Sequence, residues 1–163
     1  MLKYLTGDIW ESKADEIVIP VNTVGVMGAG LALEVKKRYP QVFKEYKDDC
    51  KRGLLQVGHI RTYIPSNEEY CLLFFPTKKD WLKPSKLEYI EEGLKDLVLT
   101  IRLLKWTGIQ SIALPQLGCG CGGLKWEDVK PLMEKYLKDD VDLKNVEIKI
   151  YVKGGNNDGN GPN

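Results

Sequence analysis

Two glycine-rich segments are the parts of this chain best suited to hold a phosphorylated ligand. They are the first glycine loop, residues 22–30, and the second glycine loop, residues 118–123, and each follows a run of apolar residues. Glycines let the backbone approach an oxyanion closely, and a helix that begins after the loop supplies free N–H groups and a partial positive charge. Two such loops in one small domain predict a ligand with a central diphosphate, such as a nucleotide diphosphate sugar.

The second glycine loop also matches the G-x-G-x-x-G pattern of dinucleotide-binding proteins, through Gly118, Gly120 and Gly123. That fingerprint belongs in the first strand–helix–strand unit, with an acidic residue about 20 positions further on. Here the pattern lies near the end of the chain with one predicted strand left, so we do not favour a dehydrogenase. A plain glycine turn is the other alternative for this loop.

Strands and helices alternate around these loops. Apolar runs predict strands at residues 2–5, 16–21, 70–75, 111–114 and 146–152, and a weak alternation predicts another at residues 59–64. Helical spacing predicts helices at residues 29–38, 41–51 and 125–138, and a longer one that begins at a Ser85-Lys86-Leu87-Glu88 capping box and ends at Gly108. This alternation predicts a three-layer α/β/α sandwich with a mixed, mostly parallel sheet. Ligands bind such sheets beyond the carboxyl ends of the strands, where both glycine loops lie.

Length and composition restrict the class of protein. The 163 residues suggest one domain over residues 1–152, followed by a glycine- and asparagine-rich segment, residues 153–163, that we expect to be a disordered tail or a linker. The net charge of +1 gives no general attraction to nucleic acid, although it does not exclude a local basic patch. No run of about 18 apolar residues is present, and the start of the chain is too short and polar for a signal peptide.

Cysteine and histidine usage argues against a metal site. Cys119 and Cys121 are two positions apart, and His59 is the only histidine. We therefore expect free thiols in a cytoplasmic protein, no metal or other cofactor, and no membrane association. Neither thiol has a plausible histidine base, so neither is predicted to be a nucleophile.

Several short motifs together resemble the macro domain, an ADP-ribose-binding module. They are Gly7-Asp8-Ile9, Val21-Asn22, Met27-Gly28-Ala29-Gly30-Leu31-Ala32, Phe75-Pro76-Thr77-Lys78-Lys79 and Leu117-Gly118-Cys119-Gly120. The resemblance covers about residues 1–152. It is closest to the branch that contains the DarG-type DNA ADP-ribosyl glycohydrolase antitoxins and the terminal ADP-ribose protein glycohydrolase.

This resemblance implies a hydrolase that binds ADP-ribose and cleaves its N-glycosidic bond to a DNA nucleobase. The substrate would be ADP-ribosylated single-stranded DNA, the partner a cognate DNA ADP-ribosyltransferase toxin, and the protein a monomer. The alternatives are hydrolysis of glutamate-linked protein or of O-acetyl-ADP-ribose, and a reader that binds ADP-ribose without catalysis.

Three polar residues receive roles from the resemblance. Asp8 would accept a hydrogen bond from the adenine amine, as an acceptor-only carboxylate does, unless it is an N-cap or turn aspartate. Asn22 would lie near the distal ribose hydroxyls, unless it is a turn asparagine bonded to its own backbone. Lys78 would be the catalytic lysine, in a predicted loop over residues 77–83, and would attack or polarise the anomeric carbon. Its alternative is a solvated loop lysine.

The other ADP-ribose contacts implied by the resemblance lie in the same loops. The full predicted set is Asp8, Ile9, Asn22, Thr23, Val26, Met27, Gly28, Gly30, Leu31, Pro115, Leu117, Gly118, Cys119, Gly120, Cys121 and Gly122. The chain departs from the family at two positions. Ile19 stands where many members have the first asparagine of an N-x-x-N pattern, and Gly122 stands where the terminal glycohydrolase has an acid that resolves a lysyl–ribose adduct.

One segment near Lys78 combines an aromatic residue with basic ones. Trp81 is surrounded by Lys79, Lys83 and Lys86. Such a combination stacks nucleobases and binds phosphates. The alternative, which we weigh equally, is that Trp81 packs under the loop and the lysines are solvated.

Overall fold

The computed structural model describes residues 1–154, which form a six-stranded sheet covered by helices on both faces. The strands are β1 (Leu2–Leu5), β2 (Glu16–Asn22), β3 (Arg61–Tyr63), β4 (Cys71–Lys78), β5 (Ser111–Pro115) and β6 (Glu147–Tyr151). Their order across the sheet is β1-β6-β5-β2-β4-β3. Each neighbouring pair is parallel except β3 and β4, which are antiparallel. Most of the predicted tail lies outside the described residues, so the domain boundary at residue 152 stays a prediction.

Four α-helices cover the sheet: α1 (Gly30–Arg38), α2 (Pro40–Lys51), α3 (Leu87–Leu104) and α4 (Trp126–Leu137). Short 3-10 helices lie at Ile9–Glu11, Lys105–Thr107 and Val141–Leu143. Pro40 opens α2 because the first position of a helix has no use for the missing N–H. Within residues 1–154, no helix has the combination of length and apolar composition that crossing a bilayer requires.

Side chains that alternate along the central strands build one core on each face of the sheet. In β2, Ile17 and Ile19 pack in the core that contains Val35 of α1 and Val42 of α2, whereas Val18 packs in the core of α3 and α4. A strand buried on both faces has a continuous apolar sequence, which is why β2 shows no alternation of polar residues. The two cores confirm the predicted three-layer α/β/α sandwich with a mostly parallel sheet.

Three local predictions differ from the structure. The strand predicted at residues 59–64 is only Arg61–Tyr63, at the edge of the sheet. The loop predicted at residues 77–83 begins later, because Thr77 and Lys78 extend β4 alongside β2. The capping box is wrong, since α3 has Lys86 as its N-cap residue and no side-chain cap, while Ser85 bonds elsewhere.

Candidate functional site

The carboxyl edge of the sheet brings the predicted chemical residues together. Asn22 ends β2, Lys78 ends β4, and the strand register pairs these two residues directly, after an irregularity between Val21 and Asn22. Pro115 ends the neighbouring strand β5, and the second glycine loop follows it. Both glycine loops and the predicted catalytic lysine therefore lie at one edge of three adjacent strands.

Asn22 organises the first glycine loop. Its Oδ1 accepts hydrogen bonds from the N–H groups of Val24 at 3.1 Å and Val26 at 3.3 Å, and its Nδ2 donates to the carbonyl of Val26 at 2.7 Å. These bonds show Asn22 in the turn-forming role that the sequence analysis gave as the alternative to a ribose contact. Because an amide nitrogen carries two hydrogens, the bond to the Val26 carbonyl uses only one N–H of Asn22.

Tyr46 completes this arrangement and was not identified from the sequence. Its side chain is fully buried on α2, and its hydroxyl lies 2.8 Å from both the backbone carbonyl oxygen and the Oδ1 of Asn22. Burial, with a smaller effect of the Cys50 thiol, raises the pKa of the Tyr46 hydroxyl, so the group remains a donor. The available signal was its position four residues after Val42 on the buried face of α2, because a buried tyrosine hydroxyl needs a partner.

Lys78 is a buried residue rather than a solvated one. It is 8% exposed, and its Nζ donates to the carbonyls of Trp81 and Cys121, each at 3.2 Å. These bonds connect the end of β4 with the segment after it and with the second glycine loop. The amino group is therefore held at the carboxyl edge, between the two segments that border the predicted ligand site.

Ser85 links the same parts of the molecule through different atoms. Its Oγ donates to the carbonyl of Thr77 at 2.5 Å, and its backbone N–H donates to the carbonyl of Gly122 at 2.9 Å. Ser85 is 5% exposed. The S-x-x-E pattern points to a helix cap, so only the tertiary structure reveals that Ser85 holds the strand end beside Lys78 against the second glycine loop.

The second glycine loop is a tight turn in which position 122 has no room for a side chain. A Cβ at Gly122 would lie 2.5 Å from the carbonyl oxygen of Gly118. The N–H of Leu124 donates to that same oxygen at 2.9 Å, which closes the turn. An acid at this position, as in the terminal glycohydrolase that the chain resembles, would require a different loop conformation.

The cysteines of this loop differ in environment. Cys119 is 7% exposed, and burial, with a smaller effect of Asp128, raises the pKa of its thiol to about 12. The thiol is therefore protonated at neutral pH, which agrees with the expectation that it is not a nucleophile. Cys121 is exposed, and its carbonyl is one of the two acceptors of Lys78. No group of three or more metal-ligating side chains occurs in the part of the chain that the structure describes.

Asp8 lies beyond the end of β1, at the same edge of the sheet. Its Oδ1 accepts a hydrogen bond from the N–H of Trp10 at 2.9 Å, so Asp8 is the N-cap of the 3-10 helix Ile9–Glu11. Asp8 therefore acts as an N-cap, as the alternative held, but this role uses only one oxygen of its carboxylate. Asp8 is exposed, and a carboxylate has a second oxygen with which to accept from an amino group.

The remaining predicted residues fall into two groups by burial. Three of these side chains lie in the hydrophobic cores: Ile9, Met27 and Leu117. Others are exposed or half-buried at the edge of the sheet: Thr23, Val26, Gly28, Gly30, Leu31, Pro115 and Gly120. Gly118 and Gly122 are buried within the second glycine loop.

This combination of a mostly parallel sheet with two glycine loops at its carboxyl edge agrees with a comparison against known protein families. The family model of the Macro domain matches residues 18–133. The chain is a macro domain. In this macro domain Ile19 of β2 is fully buried in the core that faces α1 and α2, so a core side chain replaces the asparagine of the N-x-x-N pattern.

Three similar proteins have informative names. A DNA ADP-ribosyl glycohydrolase of Thermus aquaticus is 43% identical over 153 residues, which cover 93% of this chain and 41% of the relative. The solved macrodomain of Mycobacterium tuberculosis DarG has a TM-score of 0.83 and 40% identity, with 93% of this macro domain and 97% of that chain covered.

The third relative is from Thermosipho africanus and is named a DNA ADP-ribosyl transferase–DNA ADP-ribosyl glycohydrolase fusion protein, at 38% identity, with 93% of this chain and 42% of the relative covered. A solved Thermosipho africanus DarTG in complex with ADP-ribose has a TM-score of 0.80 and 38% identity, with 92% of this chain and 41% of that chain covered. The chain thus spans about two fifths of the length of these two curated relatives.

Proposed function

We propose that this macro domain binds ADP-ribose and hydrolyses the N-glycosidic bond between ADP-ribose and a DNA nucleobase. The observation that carries the proposal is the buried Lys78, whose Nζ is held by the carbonyls of Trp81 and Cys121 at the edge where both glycine loops lie. Two features of the relatives support it: one is named a DNA ADP-ribosyl glycohydrolase, and one was solved with ADP-ribose.

The proposed ligand matches the order of groups along this edge. Asp8, beyond β1, would accept from the adenine amine, and the two glycine loops would donate backbone N–H groups to the diphosphate. Asn22 would offer its remaining amide N–H to the distal ribose while its oxygen keeps the first glycine loop in place.

The reaction needs a group that acts where charge develops. Water adds to the anomeric carbon of the distal ribose, the C–N bond breaks, and its electron pair leaves with the nucleobase, which takes up a proton. Lys78 would either polarise the C–N bond, by stabilising the negative charge that develops on the departing nucleobase, or attack the anomeric carbon to form a lysyl adduct that water then hydrolyses. Because Gly122 leaves no room for a resolving acid, we favour the polarising role.

Substitution of Lys78 tests the proposal. Lys78→Ala should bind ADP-ribose nearly as well as the wild type but release it from ADP-ribosylated single-stranded DNA at least ~100-fold more slowly. Calorimetry gives the affinity, and chromatography of released ADP-ribose gives the rate. Lys44→Ala, at an exposed position of α2, is the control and should leave both unchanged.

A second substitution separates the two roles of the lysine. Lys78→Arg keeps a positive charge and removes the nucleophile, so partial activity supports polarisation. Reduction with borohydride during turnover, followed by mass spectrometry, would detect a lysyl–ribose adduct. A stoichiometric adduct on Lys78, with an inactive arginine variant, would establish covalent catalysis instead.

The second candidate function is an ADP-ribose reader, and the absence of space for an acid at Gly122 favours it. Tight binding of ADP-ribose without hydrolysis of any conjugate would establish the reader. Hydrolysis of glutamate-linked protein or of O-acetyl-ADP-ribose, with no release from DNA, would establish one of the other two hydrolases.

The relatives also suggest a setting for this activity. One of them is named as a fusion of a DNA ADP-ribosyl transferase with a DNA ADP-ribosyl glycohydrolase, from which we infer that a DNA ADP-ribosyltransferase toxin would supply the proposed substrate. We propose that this macro domain acts on the product of such a toxin, as a monomer in the cytoplasm.

A further inference from the structure

The segment after Lys78 exposes an aromatic side chain beside the candidate site. We call residues 79–86 the basic loop; within it, Trp81 is 51% exposed and Leu82 is 71% exposed. The Trp81 side chain therefore does not pack under the loop. Asp80 fixes the turn, because its Oδ1 accepts from the N–H of Leu82 at 3.0 Å and its carbonyl from the N–H of Lys83 at 3.2 Å.

The charge of the basic loop is concentrated and faces solvent. Lys79, Lys83 and Lys86 are all exposed, against a single aspartate in the segment, in a chain whose net charge is only +1. The Nζ atoms of Lys79 and Lys86 lie 5.8 Å and 5.6 Å from the centre of the Tyr89 ring, so two of the three ammonium groups lie beside the same aromatic ring, and Lys86 Nζ is also 4.0 Å from Glu88 Oε1.

The basic loop is also attached to both glycine loops and to Lys78. Thr23 of the first glycine loop donates through Oγ1 to the carbonyl of Lys79 at 2.6 Å, and Ser85 donates to the carbonyl of Gly122 in the second. Lys78 donates to the carbonyl of Trp81. Trp106 differs in this respect, since it is 91% exposed on the 3-10 helix after α3 and is not part of the carboxyl edge.

We infer that the basic loop binds the nucleotides that flank the modified base, in a single strand. The inference rests on the proposed function, because it concerns the DNA on the leaving side of the scissile bond. Trp81 stacks on a neighbouring nucleobase, and Lys79, Lys83 and Lys86 neutralise the adjacent phosphates. A single strand fits because its bases are free to stack on an aromatic ring, whereas those of a duplex are stacked on one another.

Two substrates of different length test this inference. One is an oligonucleotide with the ADP-ribosylated base at its centre, and the other is the ADP-ribosylated nucleoside alone. Trp81→Ala should raise KM for the oligonucleotide roughly tenfold, within the range for removing one base–aromatic stack. It should change the affinity for ADP-ribose and kcat/KM for the nucleoside much less than KM for the oligonucleotide, because the Trp81 carbonyl that accepts from Lys78 is kept. Trp106→Ala is the matched control and should change none of these values.

The three lysines provide an independent measurement. Replacing Lys79, Lys83 and Lys86 together by alanine should make the negative slope of log(kcat/KM) against log[salt] for the oligonucleotide shallower, by roughly 0.7 for each phosphate that a lysine no longer neutralises. The nucleoside should show no such change. Trp81→Phe should recover most of the loss seen in Trp81→Ala, because a smaller ring still stacks.

The outcomes distinguish the inference from the proposed function. If the wild type hydrolyses neither DNA substrate, the proposed function fails. If it hydrolyses both, and neither the tryptophan nor the lysine variant changes KM or the salt dependence for the oligonucleotide, the basic loop does not bind the strand. An equal loss on both substrates would also overturn the inference, since the loop would then only support Lys78.

Discussion

Replacing Gly122 by alanine tests whether the closed shape of the second glycine loop is the one that binds ADP-ribose. The new Cβ would lie 2.5 Å from the Gly118 carbonyl oxygen and 3.0 Å from the carbonyl carbon, whereas ordinary contact begins at 3.4 Å. Both atoms belong to the backbone, so no side-chain rotation relieves the overlap. The loop must open by about 1 Å, and overpacking of this kind costs about 1–3 kcal/mol.

That cost should appear in the affinity for ADP-ribose. The hydrogen bonds from Leu124 to Gly118 and from Ser85 to Gly122, both 2.9 Å, hold the closed loop that the overlap disfavours. If only the closed loop binds the diphosphate, affinity falls in proportion to its population, by up to roughly 5- to 150-fold. Gly122→Asp should behave like Gly122→Ala and should not increase turnover, because the acid cannot occupy the closed loop.

Isothermal titration calorimetry with ADP-ribose measures this loss, with circular dichroism to show that the variant is folded. Gly123→Ala is the control in the same loop, because its Cβ meets nothing within 4 Å and only its φ of +76° is strained. It should lose less affinity than Gly122→Ala. A Gly122→Ala protein that binds ADP-ribose as tightly as the wild type would show that the closed loop is not the binding conformation.

Three further substitutions test other parts of the molecule. Ser85→Ala leaves the buried Thr77 carbonyl without its 2.5 Å hydrogen bond, so denaturant unfolding should show a loss of about 1–3 kcal/mol, partly recovered in Ser85→Thr; an unchanged midpoint contradicts this. Asp8→Ala should weaken ADP-ribose binding by roughly 1.5–3 kcal/mol in calorimetry and reduce the ratio of the affinity for ADP-ribose to that for its guanine analogue. If the wild type binds ADP-ribose and the guanine analogue equally well, Asp8 does not select adenine. Burial, with a smaller effect of Asp15, raises the pKa of Glu16 to about 7 from 4.5. The folded state therefore holds a proton that the unfolded state releases, and stability should fall as pH rises from 4.5 to 7, less so in Glu16→Gln; parallel urea-unfolding profiles of the two proteins would refute it.

The sequence by itself determined the fold class and the position of the two glycine loops. Continuous apolar runs such as residues 17–21 specify buried strands, because each residue of such a strand meets a core whichever face it points to. The alternation of these strands with amphipathic helices specifies the three layers. Both signals are local in the chain, and the glycine loops that follow the strands are equally local.

Only the tertiary structure decided how the site is held together. Lys78 bonds to a carbonyl 43 positions away, and Tyr46 bonds to Asn22 across 24 positions, so no short pattern encodes either contact. The S-x-x-E pattern at Ser85 even predicted the wrong partner, because the strand end and the second glycine loop compete successfully for its polar groups. The room for a side chain at Gly122 depends on how closely its own turn brings the Gly118 carbonyl, and the backbone angles and packing of the turn determine that distance. Residue types and local spacing therefore determined which elements form, whereas the partners of Asn22, Lys78 and Ser85 depended on how those elements pack.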